Sequence, residues 1–581
     1  MGWVHTVNGR VAASPVGRWF RLDGCGHPLA RKDSFFLTEI RAGLATFFAM
    51  AYIIAVNSSI VADSGGSCVC RRTPEDPNCD GDVGYMLCVQ AVKRDAVTAT
   101  AAISCLASVC MGLFANLPIG LAPGMGLNAY FAYTVVGYHG KGPVPYQVAL
   151  TAIFVEGFIF LFLALIGMRQ WLARAIPHSI KVATGVGIGL FLALIGLTYS
   201  EGIGLVLGAT TTPTQLAGCS PSQLREGACP GAEKMRNPAM WLGIFGGGIL
   251  TVLLAMYRVR GAVIVGIILV SLVSWPRDTL VTAFPRTELG DSAFDFFRHV
   301  VSFHPIRRIL HVQRWDVAEY GAQFGLALVT FLYVDILDCT GTLYGMARFA
   351  GLLDPVTHDF EGSSVAYVVD ALSISVGAVF GLPPVTAFVE SGAGISEGGK
   401  TGLTAVVTGL CFLVAVFFAP IFASIPPWAT GCVLVLVGSM MAASVIEINW
   451  KYMGDAVPAF LAVALMPFTY SIANGLIGSI GCYAVLNTVV WLLKVVSRGR
   501  IVPPNYADKE PWTWRIPGGV FPPWIVRLAR GDKRFWRRDA PSPNQDSLCR
   551  QRKLSSEPGA DRSSSAETSS VRGSESRAND R

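Results

Sequence analysis

Two carboxylates three residues apart, Asp335 and Asp338, sit in "FLYVDILDCTGTLYG" at 331–345, among Leu, Ile, Phe and Tyr. That spacing puts both on one face of a helix. A charged group held in apolar surroundings at membrane depth costs several kcal/mol, about 2.5–3.5 on the lowest scales, so it is a functional candidate by default. Glu156, Asp370 and Glu390 are the other carboxylates of this kind. Glu390 follows "GLPPVTAFV", where Pro383 and Pro384 remove two backbone donors and stop any preceding helix. It precedes "SGAGISEGG", which can open a half-helix. Extended backbone survives at that depth only when buried in protein or lining a cavity. Glu390 is therefore expected where an unwound segment meets a half-helix and faces a polar cavity. A second segment of the same kind, "GLAPGMGLNAY", places Asn128 at nearly the same point. Its amide can both donate and accept, the plainer reading being a helix cap. Glu156 and Asp370 fall in uninterrupted spans, where a packing carboxylate bonded to Ser or Thr is expected.

The elements that must hold these residues are membrane spans. Of 581 residues 52% are hydrophobic and 15% charged, with a mean hydropathy of +0.48, whereas soluble domains carry about 25% charged residues. Many apolar runs reach the roughly 20 residues needed to cross a hydrocarbon core. The net charge of +7 thus bears on loop orientation, and no nucleic-acid partner is expected. About fourteen spans are predicted, near 41–62, 95–115, 118–138, 146–167, 177–199, 239–256 and 261–276, then 320–348, 364–381, 383–399, 400–421, 427–446, 455–471 and 474–495. The third and tenth are rich in Gly and Pro and poor as hydrophobic helices.

Lys and Arg near the membrane set orientation. The N-terminal arm, the connections holding Arg169, Arg174 and Lys181 or Arg258 and Arg260, and the segment with Lys494, Arg498 and Arg500 are basic. Both termini are expected in the cytoplasm. The first 33 residues lack an apolar stretch, so no cleavable signal peptide is expected. Cys68, Cys70, Cys79 and Cys88 follow the first span and Cys219 and Cys229 the fifth, on the outer side, where disulfides persist. Cys219 with Cys229 is the favoured pair, and the other four allow three connectivities. A zinc site in "CVCRRTPEDPNC" lacks standard partner spacing.

The halves share faint similarity. "GLATFFAMAYI" at 43–53 lines up with "GLALVTFLYVD" at 325–335, and "GLAPGMGLNAY" at 120–130 with "GLPPVTAFVES" at 381–391. The expected organisation is an arm (1–40), a seven-span repeat (41–276), a connecting loop (277–319), a second, inverted seven-span repeat (320–495) and a Ser-rich, disordered cytoplasmic tail (496–581). Paired broken segments in inverted halves mark the binding site of a secondary transporter. "GISEGGKT" at 394–401 matches a phosphate loop letter for letter, but it is followed by a membrane span instead of an aqueous helix. No G-x-S-x-G or H-E-x-x-H occurs, so an enzyme is not expected.

"EIRAGLATFFAMAYIIAVN", "GLAPGMGLNAYFAY", "VDILDCTGTLYG" and "FVESGAGISEGGKTGLTAV" together resemble the azaguanine-type (AzgA-like) purine permeases of fungi. These are a branch of the nucleobase–cation symporters related to the nucleobase–ascorbate transporters, and the similarity covers roughly 34–495. It implies an all-α polytopic fold of fourteen spans in two inverted repeats, divided into core and gate domains. It also implies import of hypoxanthine, adenine, guanine and 8-azaguanine across the plasma membrane, with protons as the coupling ion and no other cofactor. The matching positions are Asn128, Asp335 and Glu390 for substrate and Asp338 for transport, with Glu390 also in the proton step. Glu390 and Asp335 would grip opposite edges of the base through charge-assisted bonds, and Tyr130, Phe131, Phe331 or Phe388 would stack on its faces. Burial disfavours a charged carboxyl group, so proton uptake and purine binding would favour each other. Anion transporters of the same architecture and a purine receptor that does not transport are the alternatives, and a homodimer is compatible with the resemblance.

Overall fold

The computed structural model describes residues 2–509, apart from 73–75, 77–78, 80, 167–176, 199–201, 209–213, 221–228, 258, 260, 353–359 and 361, together with 529–531. The basic positions Arg169, Arg174, Arg258 and Arg260 and the Ser-rich tail beyond 531 lie outside the described residues.

Two short helices open the chain, α1 (Gly2–Ala12) and α2 (Pro15–Phe20). The first apolar stretch forms α3 (Phe36–Met50) and α4 (Tyr52–Asp63), divided at Ala51. Next come α5 (Val83–Cys110), strand β1 (Leu121–Pro123), α6 (Met125–Ala129), α7 (Tyr146–Ile166) and α8 (His178–Leu197). A two-strand hairpin, β2 (Val206–Leu207) with β3 (Gln215–Leu216), precedes α9, which begins as Pro238–Leu242 and ends as Leu250–Met256 through a wider-turn stretch. The chain continues through α10 (Ala262–Ser274), α11 (Glu288–Arg298), α12 (Gly321–Phe349) and α13 (Ser363–Val379). It closes with β4 (Val385–Ala387), α14 (Ser391–Ser396), α15 (Gly402–Val416), α16 (Pro427–Ala442), α17 (Met453–Thr469) and α18 (Ile472–Val496). Among the described residues eight helical stretches are long and apolar enough to cross a membrane, and α10, α13, α15 and α17 are shorter apolar helices.

The boundaries follow local chemistry. Thr401 and Ser471 cap α15 and α18 by accepting from Leu403 N and Asn474 N, which satisfies donors that a helix start leaves open. Asp82 caps α5 through Tyr85 N. That cap starts the helix twelve residues before the apolar span, so Cys88 lies on a helix and not in a loop.

Helices pack in two bundles. In one, α12 and α13 lie along α7, α15 lies on α3 and α5, and α4 lies on α5. In the other, α16 and α17 flank α8, α18 packs on α17, and α9 packs on α10 and α16. Between the bundles α6 touches α8 and α16 touches α4.

Disulfides Cys68–Cys88 and Cys70–Cys79 cross-link the segment between α4 and α5, and Cys219–Cys229 closes a loop between α8 and α9. Replacing Cys68 and Cys88 together by Ser reopens a loop of 20 residues, which chain entropy values at about 3 kcal/mol. A lower thermal midpoint in detergent is the expected result, and an unchanged midpoint would show that packing alone holds the segment.

Candidate functional site

The two Gly/Pro-rich segments meet. β1 and β4 pair antiparallel, Leu121 opposite Ala387, Ala122 opposite Thr386 and Pro123 opposite Val385. Gly124 N donates to Pro384 O at 2.9 Å and Phe388 N to Gly120 O at 3.1 Å, extending the pairing at both ends. Each strand thus supplies the backbone partners the other needs inside an apolar interior. The Ser108 hydroxyl holds the Leu121 backbone from α5, accepting from its N at 3.0 Å and donating to its O at 3.1 Å. Gly120 N donates to the Ser391 hydroxyl at 3.0 Å, tying one broken segment to the start of the other's half-helix. The close approach requires glycine at 124, where a Cβ would stand 2.7 Å from Thr386 Cγ2.

Each strand runs into a half-helix, β1 into α6 and β4 into α14, and each half-helix start carries a polar side chain. Glu390, half-buried at the N-cap of α14, accepts from the Tyr52 hydroxyl at 2.7 Å. Asp338 of α12 lies close enough to Glu390 to interact electrostatically. On the other side Asn128, fully buried in α6, donates through Nδ2 to Asn57 Oδ1 at 2.6 Å. Asn57 Nδ2 in turn donates to the Thr100 hydroxyl at 2.7 Å. The Asn128 amide oxygen has no partner, so an acceptor is held ready by a fixed donor side. Asn128 sits within α6 and not at its cap, which is Gly124.

Asp335 takes a different place from Asp338. It is fully buried beside the Thr386 hydroxyl of β4, without a well-formed bond to it, and faces Glu156 of α7 and Asp370 of α13. Asp338 is thus the carboxylate next to Glu390, and Asp335 keeps company with Glu156 and Asp370. Glu156 does not bond Ser or Thr, because neither of its oxygens has a hydrogen-bond partner. The four aromatic candidates are all buried; Tyr130 meets Phe331 edge-on at 5.1 Å, and Phe131 packs edge-on against Tyr146 at 5.5 Å.

Sequence reading missed Tyr52, Asn57 and Thr100, which only the packing of α4 on α5 and α6 brings to the site; the usable signal was the polar Tyr52 and Asn57 inside "AYIIAVN". It also missed Glu39. This buried carboxylate accepts from Lys400 N, Thr401 N and the Thr404 hydroxyl at 3.0, 3.2 and 2.6 Å. The amides of the phosphate-loop look-alike are thus taken by the chain's own carboxylate. Lys400 Nζ donates to Lys32 O at 2.9 Å, in the N-terminal arm. Among the described residues no group of three or more His, Cys, Asp or Glu could hold a metal.

Comparison with known proteins agrees with this architecture. The chain is 64% identical to the efflux pump notK' of Aspergillus versicolor over 539 residues, 92% of this chain and 93% of that protein. It is 34% identical to the guanine/hypoxanthine permease PbuO of Bacillus subtilis over 445 residues, 75% of this chain and 88% of that one. The murine anion transporter Slc26a9 in its inward-facing state superposes with a TM-score of 0.50 at 11% identity, covering 80% of this chain and 70% of that one, a likeness of fold alone. Residues 83–478 match the xanthine/uracil permease model, described as a permease family. The protein belongs to that family and is an integral membrane permease.

Proposed function

We propose that this permease carries purine nucleobases, among them hypoxanthine, adenine, guanine and analogues such as 8-azaguanine, by alternating access coupled to protons. The observation that carries the reading is the antiparallel pairing of β1 with β4, which brings Asn128 and the Glu390–Asp338–Tyr52 group to the starts of two facing half-helices. A purine edge offers N–H donors and ring-nitrogen or carbonyl acceptors. Glu390 accepts from the base, the Asn128 oxygen accepts a second N–H, and Asp338 shares the proton with Glu390. Asp335, fully buried beside Thr386 of β4, is the third substrate residue. The name borne by the Bacillus relative supports the substrate class.

With the two broken segments, the eight long and four short apolar helices make fourteen passes, in two inverted repeats of seven (41–276 and 320–495). The bundle holding the strands is the core and the other the gate. Two carboxylates at the meeting point suit a neutral base and repel an anion, which favours the purine reading over the anion one. The plasma membrane with cytoplasmic termini is the proposed setting, with the disulfides on the outer face.

The test is uptake of radiolabelled hypoxanthine in cells lacking their own purine permeases, with and without a protonophore. Saturable uptake that falls to background when the gradient collapses is expected. Uptake indifferent to the protonophore would remove proton coupling and keep purine transport. The 64% identity to a protein named an efflux pump favours one second reading, outward transport. Preloaded cells that lose labelled purine faster with the protein than without it, at an imposed outward proton gradient only, would reveal a reversible symporter. Loss against an inward gradient would establish an exporter.

A further inference from the structure

A cavity of about 330 Å³ opens between the bundles on the face that carries the Cys68–Cys88 and Cys70–Cys79 disulfides, where Arg72 donates to the Gly140 carbonyl at 2.8 Å and Tyr133 to Asp63 at 2.8 Å. Its walls come from both sides. Tyr130, Tyr133 and Thr134 follow α6, Gln323 opens α12, and Tyr470 and Asn474 stand at the junction of α17 and α18. The volume lies at the low end of the roughly 300–1,000 Å³ typical of small-molecule sites.

Its chemistry is specific. The half-buried rings of Tyr133 and Tyr470 offer flat apolar faces above the buried Tyr130, and two exposed primary amides, Gln323 and Asn474, offer donors and acceptors. Among the described residues no hydrogen bond engages either amide side chain, so both are open to a ligand. A planar heteroaromatic base needs that combination, since rings stack on its faces and amides pair with its edges.

The cavity also leads somewhere. Tyr130 is two residues beyond Asn128 on one helical run. Ala327 lines the cavity and precedes Asp335 by eight residues on α12, about 12 Å along a helix. A base held here stands roughly two turns above the central carboxylates.

Tyr470 is placed to control the passage. It ends α17 with φ of +53°, a left-handed conformation that is unfavourable for a bulky residue. Its carbonyl accepts from the Thr134 hydroxyl at 2.9 Å, a bond between the two bundles. Its ring meets Phe191 of α8 edge-on at 5.0 Å and Tyr133 at 6.0 Å. The Tyr133 hydroxyl is fixed in turn by Asp63 at 2.8 Å. Movement of one bundle against the other must break the Thr134–Tyr470 bond and reshape the cavity.

We infer that this cavity is a second, outer docking site for a purine base, separate from the central one, with Gln323 and Asn474 holding its edges and Tyr470 linking its occupation to bundle movement. This rests on the proposed purine transport. Hypoxanthine is the probe. Asn474→Cys is expected to react with a membrane-impermeant thiol reagent from the disulfide face and to be protected by hypoxanthine. Protection that persists when Glu390→Gln is added identifies a separate site. Asn474→Ala and Gln323→Ala should each raise the half-saturating hypoxanthine concentration about three- to tenfold, the loss of one neutral hydrogen bond. If the unmodified protein transports hypoxanthine but protection disappears with Glu390→Gln, or never occurs, the outer site is overturned while purine transport stands. If the unmodified protein carries no purine, both fall. Gln323→Cys replaces Asn474→Cys should that variant fail to reach the membrane.

Discussion

Glu390→Gln should lower the efficiency of hypoxanthine uptake by about 10- to 100-fold with the protein still at the membrane. A hydrogen bond to a charged group is worth about 1.5–3 kcal/mol net, and each 1.4 kcal/mol is about tenfold. The substitution preserves shape. Its amide oxygen can still accept from Tyr52, whose hydroxyl reaches Glu390 at 2.7 Å, so the half-helix start keeps its local partner. What is lost is the charge proposed to grip a purine N–H and the carboxylate that interacts electrostatically with Asp338. Tyr52→Phe removes only the orienting bond and should cost about three- to tenfold. Initial uptake rates normalised to surface-biotinylated protein separate both effects from poor expression. Uptake by Glu390→Gln equal to that of the unmodified protein would sink the assignment of Glu390 to substrate.

Glu39→Ala should act on stability and abundance. The Glu39 carboxylate is fully buried and satisfies three donors at the start of α15, Lys400 N, Thr401 N and the Thr404 hydroxyl. Each donor left unpaired in the interior costs about 1–3 kcal/mol. Losing the shared acceptor thus removes several kcal/mol from a fold whose total is about 5–15 kcal/mol. Little protein should reach the membrane, with a lowered thermal midpoint in detergent. Glu39→Gln keeps one acceptor oxygen and should fall between. A Glu39→Ala protein of normal abundance and midpoint would mean that the turn before α15 is held by its remaining contacts. Chief among these are Gly402 N to Asn116 Oδ1 at 2.7 Å and the guanidinium of Arg31 on the Asn116 and Lys400 carbonyls.

The face that carries the Cys68–Cys88 and Cys70–Cys79 disulfides shows how covalent and polar links act together. Cys88 Sγ of the Cys68–Cys88 disulfide accepts from the Arg308 guanidinium at 3.0 Å, and the Arg308 backbone is held by Asp95 of α5. That carboxylate accepts from Arg307 N and Arg308 N at 2.8 and 2.6 Å and lies 2.9 Å from His304 Nε2. The segment before α12 is thereby fastened to α5, which fixes where α12 enters the membrane and so where Asp335 and Asp338 stand.

The sequence by itself determined that the chain is a polytopic membrane protein and where its apolar helices run. Hydrophobicity over about 20 residues is a local property, and Pro383, Pro384 and the glycines of 120–126 interrupt it wherever they occur. For the same reason it determined that two spans are broken, and that Asn128 and Glu390 stand at the breaks. Only the tertiary structure decided which residues meet there. The i, i+3 spacing of Asp335 and Asp338 allowed both to face one site, yet α12 packs between α7 and β4, turning Asp335 toward Glu156 and Asp370 and leaving Asp338 beside Glu390. Tyr52, Asn57, Thr100 and Glu39 were ordinary polar residues in apolar runs. Their roles depend on partners about 40 to more than 300 positions away. No local pattern encodes such distances; they follow from the crossing of β1 with β4, which folds the two halves of the chain onto one another.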